Sequence, residues 1–429
     1  IINQNDPSYE IPPPMATFAA TPFAPPLRRT LDAAGFPNPT PTQAQCWPIA
    51  LDGKDIITVA RTGSGKTCGF LLPAFHRLTN SNARRGPPAI LVLAPTRELA
   101  MQIEAESVKF GRTLNLRSCC CYGGSPKGLQ IRKLQAGVEV LIATPGRLND
   151  LIEMRCVNLE SVQFLVLDEA DRMLDMGFEP QIRSIIAKIP ATRQSMMFTA
   201  TWPREIQSLA REFLVKPIEV RFGDLNNLNA NKAITQVIKI VNSGDKAEEL
   251  KKTLAEENSS GEPSKCPKTI IFVGRKHVCD DMANELWSAG YAVDSLHGDR
   301  QQFQRTKVME QFKRSALRII VATDVAARGL DVKDIDLVIN YDFPNGTNGV
   351  EDYVHRIGRT GRANNSGRAV TFFCVKDDAK RASQLIGVLS RAEQVIPPEL
   401  QACGGRGGGG KGWGGGKGWG GRGGGGKGG

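Results

Sequence analysis

"ITVARTGSGKT", residues 57–67, runs from an apolar segment through a glycine-rich turn into a helix-forming one. A strand ending at Ala60 and a helix opening after Thr67 are joined through Gly63 and Gly65, whose conformational freedom lets a backbone wrap an anion with its N–H groups. Ala60, Arg61, Thr62, Gly63, Ser64, Gly65, Lys66 and Thr67 match the phosphate-binding loop, except that the stricter pattern has glycine at the position of Ala60. In that pattern Lys66 reaches the outer phosphates and Thr67 offers a hydroxyl to Mg2+. The stretch predicts a nucleotide site at the carboxyl end of a buried strand, and with it an α/β fold.

About a hundred residues further on, "VLDEADRMLDMGF" (166–178) closes another apolar run, "VQFLVL", with a cluster of acids. A buried strand does not end in negative charge without a counter-ion. Asp168 is placed to hold Mg2+ and Glu169 to orient and polarise an attacking water. Asp171 reads as an acid favoured by the start of the next helix.

The same alternation fills the chain. "DIITVA", "AILVLAP", "VEVLIATP", "FLVLDEA" and "QSMMFTA", then "KTIIFVG", "LRIIVATD" and "DLVINYD", are short buried runs separated by helical patterns, which predicts two parallel-sheet domains with helices on both faces. Three of these runs lead through Thr or Thr-Pro into a helix, gathering N-terminal N–H groups that suit phosphate. Composition divides the chain into an extended leader (1–15), a first domain (16–222), an Asn-rich linker (223–233), a second domain (234–395) and a tail (396–429) that becomes almost pure glycine.

At 429 residues, two or more domains are expected, and 55 Lys and Arg against 44 Asp and Glu, a net +11, favour an anionic partner. No apolar run reaches the roughly 18 residues of a membrane span, so no membrane association is expected. Ten scattered cysteines without a C-x-x-C pair imply no disulfide framework, which suits a reducing, intracellular compartment. Cys119, Cys120 and Cys121 read as small apolar residues of a half-buried strand.

Taken together, "ARTGSGKT" and "DEAD" strongly resemble the DEAD-box family of ATP-dependent RNA helicases. The resemblance extends through "GFPNPTPTQ" (35–43), "PTRELA" (95–100), "YGG" (122–124), "TPGR" (144–147), "TAT" (199–201), "IIFVGRK" (270–276), "QFQR" (302–305), "ATDVAARGLD" (322–331) and "HRIGRTGR" (355–362), in family order from Phe18 to about Val375. It implies tandem RecA-like domains, ATP and Mg2+ as cofactors, and RNA as partner. Gln43 is implied to read adenine, since an amide presents both donor and acceptor to its N6 and N7 edge, with Phe36 and Phe18 beside it. Asp331 is implied to bind the ribose.

Arg356, Arg359 and Arg362 would be a solvated basic stripe on an ordinary helix, but Gly358 and Gly361 argue for a bend. The resemblance makes Arg359 and Arg362 arginine fingers, contributed from the opposite domain on closure. It makes Asp171, Thr199, Thr201, Arg328, His355 and Arg356 coupling groups. It assigns RNA contacts to Pro95, Arg97, Gly124, Thr144 and Arg147 in the first domain and to Arg305 and Thr323 in the second. Those contacts are backbone-directed, so binding is expected to be largely sequence-independent.

The tail, with Trp413, Trp419, Arg406 and Arg422, reads either as a flexible spacer or as an RNA tether. Thr199 stands for the commoner serine, Thr42 for isoleucine, and the connection before His355 is longer than the family pattern. "TATWPREI" and "MLDMGFEPQIR" look most like the nuclear RNA-processing branch, implying ribosome biogenesis, splicing or messenger RNA turnover, in the nucleus or cytoplasm, as a monomer with possible ribonucleoprotein partners. The expected activity is RNA-stimulated ATP hydrolysis coupled to local, non-processive unwinding. An ATP-locked RNA clamp that hydrolyses slowly is the alternative.

Overall fold

The computed structural model describes residues 1–3, 6–60, 63–81, 86–222, 232–324, 332, 334–345, 349–361 and 366–404. Two all-parallel sheets carry the chain. The first contains β1 (Ile56–Val59), β2 (Ile90–Leu93), β3 (Ser118–Cys121), β4 (Val140–Ala143), β5 (Phe164–Asp168), β6 (Gln194–Thr199) and β7 (Ile218–Arg221), in the order β3-β4-β2-β5-β6-β1-β7. The second contains β8 (Ile234–Ile240), β9 (Thr269–Phe272), β10 (Val293–Leu296), β11 (Ile319–Ala322), β12 (Leu337–Asn340) and β13 (Gly367–Phe373), in the order β10-β11-β9-β12-β13-β8.

Central strands such as "ILVL" of β2 and "IIVA" of β11 are buried along their whole length because helices cover both faces. Each sheet accordingly has two hydrophobic cores, one per face. All eight runs singled out in the sequence are strands. β3 departs from expectation in burial, since Cys119 and Cys121 are fully covered rather than half-buried. The helices Arg97–Gly111 and Lys127–Gln135 lie over it. All ten cysteines are free thiols. Among the described residues no helix is long and apolar enough to cross a membrane.

Both ends of the globular body reach further than the composition shifts suggested. In the leader, Ile2 exchanges backbone hydrogen bonds of 2.8 and 3.0 Å with Glu219 on the edge strand β7, Asp6 pairs with Lys54 at 2.8 Å, and the Tyr9 hydroxyl donates to Asp52 at 2.8 Å. At the other end a helix, Pro398–Gly404, lies beyond the expected boundary at 395 and buries Leu400 completely in the second domain's core. An apolar side chain at that position favours packing over extension into the tail. Most of the linker, the connection at 346–348 and the tail from 405, with Arg406, Trp413, Trp419 and Arg422, lie outside the described residues.

Candidate active site

The phosphate-binding loop opens the helix Lys66–Thr79 from the end of β1. Gly63 and Gly65 have φ of +78° and +82°, which a side chain would resist. At Gly65 a Cβ would also lie 2.5 Å from the Gln43 amide and 2.8 Å from the Thr40 hydroxyl. Those neighbours belong to the helix Pro41–Leu51, which begins in a reciprocal cap: the Thr40 hydroxyl accepts from Gln43 N, and the Gln43 carbonyl oxygen accepts from Thr40 N. The same two side chains then hold the loop, as Thr40 Oγ1 donates to Ser64 O at 2.8 Å and Gln43 Nε2 donates to Gly65 O at 3.1 Å.

Thr40 was not singled out in the sequence, although its place three residues before Gln43 is the signature of this cap. Gln43 keeps one further N–H and one lone pair for a base. Phe18 belongs to the first domain's core. It is buried against Trp47, with ring centroids 6.1 Å apart, and Trp47 in turn donates to Cys68 O on the loop's helix. Phe36 is exposed, with the Lys109 ammonium over its ring. Arg61 and Thr62 lie outside the described residues.

Lys66 is buried and its ammonium donates to Ala60 O at 3.2 Å. Across the sheet β5 delivers Asp168 and Glu169. Asp168 is completely buried, and burial, opposed by the charge of Lys66, pushes its carboxyl up to about 7. A carboxylate in that position calls for a cation. Among the described residues no group of three or more His, Cys, Asp and Glu side chains is arranged to hold a metal unaided. The oxygen donors Asp168 and Thr67 suit a hard cation such as Mg2+ whose remaining ligands are phosphate and water. Ser64 Oγ, buried in the loop without a hydrogen-bond partner, fits a phosphate there. Glu169 has φ of +51°, a conformation that costs a non-glycine residue about 1–2 kcal/mol.

Asp171 stands in the first turn of the helix Ala170–Asp175 and also reaches the end of β6. Its Oδ2 accepts from Ala200 N, Thr201 N and Thr201 Oγ1 at 3.2, 3.0 and 3.0 Å, and Arg172 N donates to its Oδ1. Although burial opposes ionisation, the charges of Arg172 and Lys66 and these donors hold Asp171 below the usual carboxylate range. The Thr199 hydroxyl donates to Thr201 O at 3.0 Å, closing the tie between the ends of β5 and β6.

The second domain meets this edge. The helix Gly349–Ile357 stops before Gly358, and Arg359 and Arg356 are both buried, which excludes a solvated stripe. Glu169, Arg172, Asp352, His355, Arg356 and Arg359 line one interdomain gap of about 20 Å3. Arg172 is ion-paired with Asp352 across the cleft and with Asp175 at 3.0 Å on its own side. Burial, reinforced by Arg172, drives His355 well below the ordinary histidine range, so it faces Asp171 as a neutral ring. Arg356 lines the gap, but its guanidinium is committed within its own domain to Asp324 at 2.5 and 2.6 Å and to Asp342 O at 2.6 Å. It braces its own domain rather than crossing the cleft. Arg328, Asp331 and Arg362 lie outside the described residues.

The residues nominated for RNA lie at the carboxyl ends of both sheets. Gly124, at φ +76°, lets the Arg97 guanidinium lie where a Cβ would be only 2.4 Å away. Thr144 occupies the N-cap position of the helix Pro145–Glu153 without a side-chain capping bond, and Pro95 ends the run after β2. Arg147 donates through its terminal nitrogens to Gln130 at 2.8 Å and Ser125 O at 3.1 and 3.2 Å, while its buried Nε has no hydrogen-bond partner. Thr323 follows β11 and is buried. Arg305 and Arg97 bridge the domains, the first paired with Glu98 at 2.5 Å and the second donating to Gln302 at 3.2 Å. Glu98 and Gln302 were not singled out individually, because their partners lie some two hundred residues away in sequence.

Comparison with known proteins agrees with this geometry. A family model described as DEAD/DEAH box helicase matches residues 40–209, and one described as helicase conserved C-terminal domain matches residues 231–364. The chain is 52% identical over 402 residues to DEAD-box ATP-dependent RNA helicase 14 of Arabidopsis thaliana, with 94% of this chain and 63% of that protein covered. It is 49% identical to ATP-dependent RNA helicase DBP2 of Chaetomium thermophilum, covering 94% of this chain and 71% of that one. The chain spans 63%, 61% and 49% of the lengths of the first three plant relatives it matches. Among solved structures it resembles S. cerevisiae Dbp5 bound to RNA and ADP BeF3, with a TM-score of 0.76 and 28% identity over 91% of this chain and 94% of the other.

Proposed function

The chain belongs to the DEAD-box ATP-dependent RNA helicases, and from that premise we propose that it is an RNA-stimulated ATPase whose two domains close on ATP and one RNA strand. The observation that carries this reading is the shared gap: Glu169 from the first domain and Arg359 from the second line the same cavity. Neither domain alone assembles that set. Hydrolysis therefore requires closure.

In the proposed mechanism Thr40 and Gln43 hold the loop in register, and the loop's N–H groups with Lys66 bind the phosphates. Asp168 and Thr67 would hold Mg2+, which supplies charge neutralisation at the phosphates. Glu169 orients the attacking water, and Arg359, with Arg362 by family pattern, stabilises the charge developing on the transferred phosphoryl group. Asp171, tied to Ala200 and Thr201 and facing His355, registers whether the second domain is in place. Asp331 and Arg328 are carried from the family pattern to the ribose and to coupling.

The RNA strand is proposed to run over Pro95, Arg97, Gly124, Thr144, Arg147, Arg305 and Thr323, held by backbone contacts that carry no sequence information. Binding there bends the strand, a short duplex falls apart, and hydrolysis resets the protein; the action is local and non-processive. The S. cerevisiae structure, solved with RNA and an ADP complex, supports the same pair of ligands here. A role in nuclear or cytoplasmic RNA processing, as a monomer with ribonucleoprotein partners, follows from the family branch.

Steady-state ATP hydrolysis with and without single-stranded RNA is the test, with Glu169→Gln as control. The expected result is strong RNA stimulation, reduced by at least about a hundredfold in the variant, together with release of short duplexes. Tight ATP-dependent RNA binding without stimulated turnover would instead favour the clamp.

A further inference from the structure

The end of the first sheet opposite the nucleotide contains a second concave site. A cavity of about 420 Å3 opens where β2, β5, β6 and β1, four consecutive neighbours in the sheet, begin. Two half-buried guanidiniums, Arg77 and Arg193, converge on it. Arg77 lies in the last turn of the Lys66–Thr79 helix, about 20 Å from the phosphate-binding loop by helix length. Its ring-facing side covers Phe164, and Nη1 donates to Gln194 Oε1 at 2.5 Å. Arg193 donates only to carbonyl oxygens, Pro190 O at 3.0 Å and Phe213 O at 3.2 Å, and its Nε is buried with no partner.

Neither guanidinium has a carboxylate within ion-pair distance among the described residues. Their nearest acids are engaged elsewhere: Asp52 accepts from the Tyr9 hydroxyl, and Asp55 from Ser195 N and Val215 N. Glu160, at the exposed rim, is the one acid lining the cavity, and it accepts from Asn158. Two half-buried guanidiniums against one exposed carboxylate leave the lining net positive. Planar guanidiniums that do not pair internally are suited to phosphate oxygens.

We propose that this cavity binds a small phosphorylated anion, separate from the nucleotide at the opposite end of the sheet. The polar lining and paired arginines select for phosphate oxygens. The volume admits a molecule of pyrophosphate to nucleotide size and is far too small for a folded partner. Such a ligand would touch the amino ends of β1 and β6 and the last turn of the loop's helix, the elements whose other ends carry Lys66 and Thr199.

The test is calorimetric titration of inorganic pyrophosphate, with Mg2+ in excess, into the full chain already saturated with ADP. ADP saturation is measured separately, so failure of the nucleotide reading is distinguished from failure of this one. The expected result is one pyrophosphate-binding event that weakens by about tenfold or more both in Arg193→Gln, which removes a guanidinium, and in Thr192→Glu, which adds a repelling carboxylate at an exposed rim position. Unchanged heat-unfolding of Thr192→Glu guards against a folding artefact. Absence of binding by the ADP-loaded chain, or binding left unmoved by both substitutions, overturns the proposal.

Discussion

Gly65 shows how far one residue can be committed. Its positive φ and the 2.5 Å approach of the Gln43 amide leave no room for a methyl group, so Gly65→Ala must both strain the backbone and push Gln43 away. The strain alone is about 1–2 kcal/mol. The expected outcome is a modest fall in the unfolding midpoint and at least about a tenfold loss of nucleotide affinity, because the displaced Gln43 also releases the Gly65 carbonyl. Fluorescence titration with a labelled ADP would check it. A loss of stability with affinity intact would show that Gln43 has somewhere else to go. This commitment was half legible beforehand: the glycines and Lys66 were readable from spacing, but the Thr40 contact depends on two helices meeting.

At the scale of elements, the Gly349–Ile357 helix carries the crossing charges. Arg172 is nearly buried and pairs with Asp352 across the cleft while keeping Asp175 on its own side. Asp352→Asn should therefore weaken closure without stranding Arg172. We expect the RNA concentration for half-maximal ATP turnover to rise about three- to tenfold, with the maximal rate less affected. An equal fall in both would place Asp352 in the chemistry instead. The Pro398–Gly404 helix makes a second prediction. Leu400 is fully buried, so Leu400→Ala should cost about 2–5 kcal/mol in the second domain, visible as a lower unfolding midpoint. If the midpoint does not move, the helix is not part of that domain's core.

For the whole molecule, closure gathers carboxylates. Glu351 lies among Asp171, Asp175 and Asp352, with Arg172 as the opposing charge. Burial first, and then Asp171, raises its carboxyl to about 7. A group whose pKa is raised in the closed state binds its proton more tightly there. Closure is thus favoured as pH falls through about 7, and the advantage fades as pH rises from the ordinary carboxylate range through that value. Interdomain fluorescence transfer at fixed nucleotide and RNA should report less closure at pH 8 than at pH 6. Glu351→Gln should flatten that dependence, and a variant with the wild-type slope would assign it to another group.

The class of fold and the chemistry of each half are legible in residue order alone. Buried β-branched runs followed by Thr, Pro and Gly turns demand parallel strands with sites at their carboxyl ends, and a phosphate loop and an acidic strand end are local enough to read from spacing. Packing settles which side chains meet. It moved Phe18 into the core against Trp47, turned Arg356 inward to Asp324, tied Asp171 to Thr201, and joined Arg305 to Glu98. Each of those pairings joins different elements, most of them far apart in sequence. Their distances are set by how helices and sheets pack, a property no local pattern of residues carries.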